Sequence, residues 1–258
     1  MKDDYEPIVV QTPDYFDNIE VYVLSDLHMG SKEFDESMWE RAKAEILAQP
    51  NRFCVFIGDL MENAIPGSKS DVFSQVATPM QQREWVLKQF QDLSDRILAI
   101  TDGNHERNRS YRAAGMFPNF DAAVIAGIQD RYRPHFAVVD IGVGTREKDK
   151  KQQVHYVLYC VHRGKDGKGV NTALGTSGID AVCVGHTHAP LSIPKAQISY
   201  NPINKVVSVR TVHLVNSGAW CKYGGYAVDN GYLPNSDQKH KLVLYGGKKK
   251  VDVVGFTL

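Results

Sequence analysis

The chain has 258 residues, 43% hydrophobic and 23% charged, with 30 basic and 30 acidic side chains. That length suits one large α/β domain or two small ones. A formal net charge of zero excludes a global field that would draw the chain to nucleic acid or to an anionic membrane. No apolar run approaches a membrane span, and Met1-Lys2-Asp3-Asp4-Tyr5 lacks a signal core, so a cytoplasmic protein without a membrane partner is expected. The four cysteines (Cys54, Cys160, Cys183, Cys221) form no CxxC, and the first three sit in apolar strand-like runs. They read as reduced, buried thiols.

Residues 1–19 are polar, with a short edge strand at Ile8-Val9-Val10. Val21 to Leu24 is a buried strand that ends in Ser25-Asp26-Leu27-His28. On an extended strand the spacing of Asp26 and His28 would point both side chains the same way. Residues 36–48 place Trp39, Ala42 and Ile46 on one face of a helix that stops at Pro50-Asn51. Phe53-Cys54-Val55-Phe56-Ile57 has no polar residue and reads as a strand buried on both faces. Gly58 then allows a tight turn, and Asp59 falls at the carboxyl edge of the sheet, where open α/β folds place ligands.

Residues 62–79 read as a long loop leaving that edge, and residues 80–96 as a helix with Val86, Phe90, Leu93 and Ile97 on its inner face. Ile97 to Ile100 is a third apolar strand, ending in Thr101-Asp102-Gly103-Asn104-His105-Glu106. A basic and aromatic stretch (Arg107, Arg109, Tyr111, Arg112) precedes a helix expected near 119–132, with Val124, Ile128 and Tyr132 on one face. From Phe136 the pattern changes to strands. Phe136 to Ile141 and Val154 to Val161 flank a charged turn at 145–150 that reads as a solvated hairpin tip. The second strand ends in His162-Arg163-Gly164, and a Gly- and Lys-rich loop follows without P-loop order. Ala181 to Val184 ends in Gly185-His186-Thr187-His188, and Val206 to Val215 and Lys241 to Tyr245 complete the strands. No repeat or linker divides the chain, so one domain over 1–258 is expected.

Five strand ends thus deliver Asp26 and His28, Asp59, Asn104 and His105, His162, and His186 and His188. Five of the nine histidines fall at these places. All are oxygen or imidazole donors, a set suited to borderline-hard divalent ions such as Mn²⁺, Fe²⁺ or Zn²⁺.

The order D-x-H, G-D, G-N-H-E, H and G-H-x-H, spread over residues 21–190, resembles the calcineurin-like metallophosphoesterases, in particular their small bacterial, archaeal or phage phosphodiesterases. The resemblance implies a four-layer α/β/β/α sandwich, two mixed sheets flanked by helices. It also implies two divalent ions, Mn²⁺ foremost with Fe²⁺, Zn²⁺ or Ni²⁺ as alternatives. Asp26, His28 and His188 would hold one ion and Asn104, His162 and His186 the other. Asp59 would bridge the two, with a hydroxide between the ions attacking the phosphate ester. His105 would protonate the leaving oxygen.

Two positions depart from the family pattern. Glu62 stands where an Asp often pairs with the catalytic His, and Arg163 follows His162 where Gly is common; Arg163 and Arg107 are candidate phosphate contacts. Gly58-Asp59-Leu60-Met61-Glu62-Asn63-Ala64 lacks the arginine of GDxxDRG, which favours a phosphodiesterase over a protein phosphatase or other phosphomonoesterase. Nuclease action on DNA or RNA is the alternative, with Arg107, Arg109 and Arg112 as a groove and Tyr111 for stacking. The aromatic group Trp220, Tyr223, Tyr226 and Tyr232 reads as core packing before base stacking. A non-catalytic scaffold of the same fold is the reading from another class.

Overall fold

The computed structural model describes residues 2–68, 70, 72–149, 151–163 and 175–258, the Tyr226 side chain excepted. The Gly- and Lys-rich loop after Arg163 lies outside the described residues. Two mixed six-stranded sheets make up the described structure. One runs β12 (Val251–Phe256), β11 (Lys239–Tyr245), β2 (Asn18–Leu24), β3 (Arg52–Ile57), β4 (Ile97–Thr101), β5 (Tyr132–Arg133). The other runs β1 (Ile8–Gln11), β6 (Phe136–Val143), β7 (Val154–Val161), β8 (Ala181–Val184), β10 (Val206–Ser217), β9 (Pro190–Asn201).

Strand β3 shows why the sheets stack. Its alternate residues Val55 and Ile57 join Val21, Val23, Val139, Leu158, Cys183 and Val215 in the core between the sheets. Cys54 and Phe56 point the other way, into a second core with Trp39, Ala42 and Ile46 of α1 (Glu36–Leu47) and Val86 and Phe90 of α2 (Pro79–Asp92). A strand that serves two cores has no use for a polar side chain, which is the uninterrupted apolar run seen in the sequence. Helix Pro118–Ile125 joins the same outer layer through Ala122 and Ala123. The outer face of the other sheet carries its own apolar cluster of Ile179, Val182, Val184, Val212 and Leu214.

Strands β2, β3 and β4 are mutually parallel, as are β7, β8 and β10. Parallel strands end at the same edge, so six carboxyl ends converge on one rim of the sandwich.

Several boundaries differ from expectation. Helix α2 starts at a Thr78 cap with a reciprocal Gln81 bond and stops at Asp92. Ile97 therefore opens β4 and is not helical. The helix expected over 119–132 ends at Ile125, because Gly127 adopts φ +74° and turns the chain. Val124 is exposed, and Tyr132 belongs to β5. The turn at 145–150 is also more than a solvated tip: Arg146 bridges to Gly247, and Glu147 N–H donates to the Gly247 carbonyl at 3.1 Å. Strands β9 and β12 have no counterpart in the sequence reading. All four cysteines are free, and Cys54, Cys160 and Cys183 are buried as expected.

Candidate metal centre

Strand β2 ends at Leu24, so Asp26 and His28 are not on an extended strand. Both are left-handed, at φ 55° and 52°. Their side chains converge through two successive left-handed turns, not through strand alternation. The same device recurs at Asp59, His186 and His188, at φ 51°, 74° and 57°. Non-glycine residues rarely adopt this region, and its concentration at one rim marks backbone held there by surrounding contacts.

Those contacts are visible. The Glu106 carboxylate, fully buried, accepts from the backbone N–H groups of Asp59, Leu60, Met61 and Gly103 at 2.8–3.3 Å. It clamps the turn after β3 to the turn after β4. Burial and the nearby Asp59 carboxylate push the Glu106 pKa up, while the N–H donors favour the charged form. The two turns touch so closely that a Cβ on Gly58 would lie 2.2 Å from Gly103 N, and one on Gly103 would lie 2.1 Å from Asp59 Oδ1. The sequence reading gave Glu106 no role; its place three residues after Gly103, at the start of a helical turn, was the available signal. On the opposite sheet, Asn216 Nδ2 donates to Thr187 Oγ1 at 3.0 Å and fixes the turn carrying His186 and His188.

Asp26, His28 and His188 form one cluster, His28, Asp59 and His105 a second, and Asp59, His162 and His186 a third, each with ligand atoms within 4.8 Å of one another. Within them, His28 Nε2 faces His188 Nε2 at 3.0 Å, and His188 Nε2 lies 3.4 Å from Asp26 Oδ1. His162 Nε2 is 3.1 Å from Asp59 Oδ2 and 3.3 Å from Asn104 Oδ1. Every ligand named from the sequence is therefore on this rim.

The outward nitrogens are already engaged. His28 Nδ1 lies 3.1 Å from Glu62 Oε2, and His162 Nδ1 donates to the Ile57 carbonyl at 2.7 Å. In each ring that holds Nδ1–H outward, so that the neutral form would present its Nε2 lone pair inward, the arrangement of a metal-ligating histidine. A donor set of inward imidazoles, two buried carboxylates and an amide oxygen fits divalent cations.

Charge on these groups is strongly coupled. Burial opposes the charged form of Asp59, but His105 and His162 outweigh it and hold the pKa well below the usual carboxylate range. Burial likewise works against charge on His162, yet Asp59 raises its pKa to about 10. His105 goes the other way: burial pushes it down to about 4, against the pull of Asp59.

The expected pairing of Glu62 with His105 takes a different form. The Glu62 carboxylate turns to His28 and to Arg109 Nη1 at 3.1 Å, and stays 3.9 Å from His105 Nδ1. His105 Nδ1 donates instead to the Glu62 backbone carbonyl at 2.8 Å, and its Nε2 stands 3.8 Å from Asp59 Oδ2. Arg109 also reaches the Glu62 carbonyl at 2.6 Å and Ser70 Oγ at 3.0 Å. It is thus an internal strut, and it is not free to line a groove with Arg107 and Arg112. Tyr111 stacks on Phe117 at 4.5 Å. Arg163 is exposed and near enough to His186 to act on its charge, and Arg107 is half-buried. Trp220 is core, against Trp39, while Tyr223 and Tyr232 are exposed.

The sequence profile of the calcineurin-like phosphoesterases matches residues 19–190, two thirds of the chain and every candidate ligand just described. The chain belongs to that family. Comparison with curated protein sequences returns no match. Among solved structures, Vps29 from Chaetomium thermophilum is similar over 92% of this chain and 95% of its own, at 12% identity and a TM-score of 0.37. A likeness that weak carries neither fold nor function. Family membership and the His/Asp clusters together support divalent-metal binding and a phosphate-ester substrate for the family fold.

Proposed function

We propose that the protein is a binuclear-metal phosphodiesterase. The observation that carries this reading is the chain of overlap among the three clusters: His28 is common to the first and second, and Asp59 to the second and third. Asp26, His28 and His188 would hold one ion and Asn104, His162 and His186 the other, with Asp59 as the anionic ligand common to both. An anion at that position offsets the repulsion of two close dications. When bound, the pair, foremost Mn²⁺, supplies Lewis-acid activation of water and of the phosphoryl group.

The side chains do the rest. Glu62, braced by Arg109, keeps His28 aimed inward. The Glu62 carbonyl accepts a hydrogen bond from His105 Nδ1–H and so orients Nε2 towards the leaving oxygen. Burial keeps His105 neutral at pH 7 in the free protein. An adjacent phosphate anion favours its protonated form, and the imidazolium then donates to the departing alkoxide.

Two features favour a diester over a monoester. A monoester carries an additional negative charge, which the GDxxDRG arginine would meet; this chain lacks it. Arg109, close by, is already engaged by Glu62 and Ser70. The test is a Mn²⁺-supplemented panel of bis-aryl diester, aryl monoester, cyclic nucleotide and single-stranded DNA. Diester preference in kcat/KM is expected. A monoester preference of about tenfold or more, some 1.4 kcal/mol in transition-state binding, reverses the assignment.

A further inference from the structure

Strands β9 and β10 form a hairpin with twelve residues in each arm. Only its base belongs to the sheet, since β8 pairs with β10 from His213 to Asn216. The arms beyond Lys195 and Val212 leave the sandwich at the end opposite the metal centre. Alternation there is strict. Ile198 is opposite Val209 and Tyr200 opposite Val207, so all four share one face. They are 77%, 67%, 60% and 64% exposed, and Ile203 at the tip is 88% exposed.

Stepping by two from Val209 through His213 along β10 reaches Val215, in the core between the sheets. The bare face is therefore the core face of its sheet, continued past the end of the opposing sheet. The other face carries Val206 near the tip, and from Ser199 and Ser208 inward to Gln197 and Arg210 it is polar and internally satisfied. Ser199 and Ser208 hydroxyls meet at 2.7 Å, Arg210 donates to Gln197 Oε1 at 2.9 and 3.2 Å, and Gln197 donates to the Thr176 carbonyl at 2.9 Å.

We propose that this overhang is a homodimer interface, on which the same ribbon of a second copy packs face to face about a two-fold axis. Period-two apolar alternation encodes a half-buried strand, and among the described residues none covers this face. From Ala196 and Thr211 out to Tyr200 and Val207 the face has no charged residue. An isologous contact sets the same patch against itself, residue i on j and j on i, so an uncharged patch meets itself without repulsion or a buried unpaired charge. Five exposed apolar side chains amount to roughly 600 Å² per copy, the upper end of what a monomer leaves bare. That approaches the ~800 Å² each partner contributes to a standard interface. Among the described residues strand β9 is also a sheet edge, which can widen the contact. Nucleic acid is a poor occupant, because this face offers no cation for phosphate.

Sedimentation of the full chain over a concentration series tests this. A dimer dissociating at about 1–100 μM and persisting in high salt is expected. Val209→Glu should be monomeric with unchanged far-UV circular dichroism, whereas Ser208→Asp, on the polar face, should remain dimeric. If Val209→Glu fails to fold, Tyr200→Lys serves in its place, and the wild-type result stands alone in either case. Wild type that stays monomeric at about 100 μM overturns the proposal. A folded Val209→Glu dimer overturns it too, as does a wild-type monomer that instead binds neutral phosphatidylcholine vesicles.

Discussion

The two halves of the proposed metal centre are aimed by different means. On the Asp26 side, His28 is oriented by a side chain, Glu62, which is itself held by Arg109. On the other side, His162 is oriented by a main-chain carbonyl, that of Ile57 in the middle of the core. A side-chain brace can be removed by one substitution; a carbonyl cannot. Occupancy of the first ion should therefore be tunable by residues outside the ligand set, while the second follows the integrity of the sheet.

The largest effect would erase the contrast altogether. Asp59→Ala should lose both ions together and reduce activity by more than the about 10²–10³-fold that one electrostatic donor is worth. Metal analysis finding the variant loaded at both positions would remove Asp59 from the shared place between them.

Next comes a substitution that should leave both halves filled. His105→Ala is expected to keep its metals and lose about 10²–10⁴-fold on alkyl diesters, the worth of general acid catalysis. The loss should be smaller on nitrophenyl esters, whose leaving group departs without a proton. Equal losses on both substrates would make His105 a charge stabiliser, and loss of an ion would make it a ligand.

The contrast itself is sharpened by Arg109→Ala and Glu62→Gln. Either should weaken one ion by about 10–100-fold and spare the other, the usual cost of disturbing a ligand's orienting partner. Calorimetric titration reads the two affinities separately. Parallel weakening of both would mean that the halves share one scaffold.

The smallest effect concerns the support of the second half. His240 Nδ1 lies 2.9 Å from the Asn216 carbonyl, and Asn216 in turn holds Thr187. Burial lowers the His240 pKa, so the folded protein holds this ring neutral where the unfolded chain, near 6.5, would protonate it. Its contribution to stability is present above that value and is lost as pH falls through the folded value. His240→Gln should therefore flatten the fall in Tm between about pH 7.5 and 5.5, by about 1–3 °C. An unchanged slope would show the ring titrating alike in both states.

What was legible in the sequence follows from chain locality. Each ligand sits within four residues of the end of an apolar strand, so a strand and its terminal motif could be read together. The partners that lie far apart in sequence could not. Glu62 is 34 residues from His28 and 47 from Arg109, and nothing local says which imidazole its carboxylate will meet. Strand β9 was hidden by Pro190 and Pro194, which argue against a central strand but are tolerated on the edge where β9 lies. The extension of the helix at Pro118–Ile125 to residue 132 failed because Ile128 and Tyr132 are buried by a turn and a strand at what happened to be helical spacing.

Among the described residues, five of the seven non-glycine positions with left-handed backbone are proposed ligands: Asp26, His28, Asp59, His186 and His188. Left-handed backbone costs roughly 1–2 kcal/mol where a Cβ is present, and glycine avoids that cost. Selection for heat resistance without metal would thus favour glycine at the very positions that chemistry needs. A thermostability campaign on this chain has to be run with metal present, or it will breed a sturdier protein that has lost its trade.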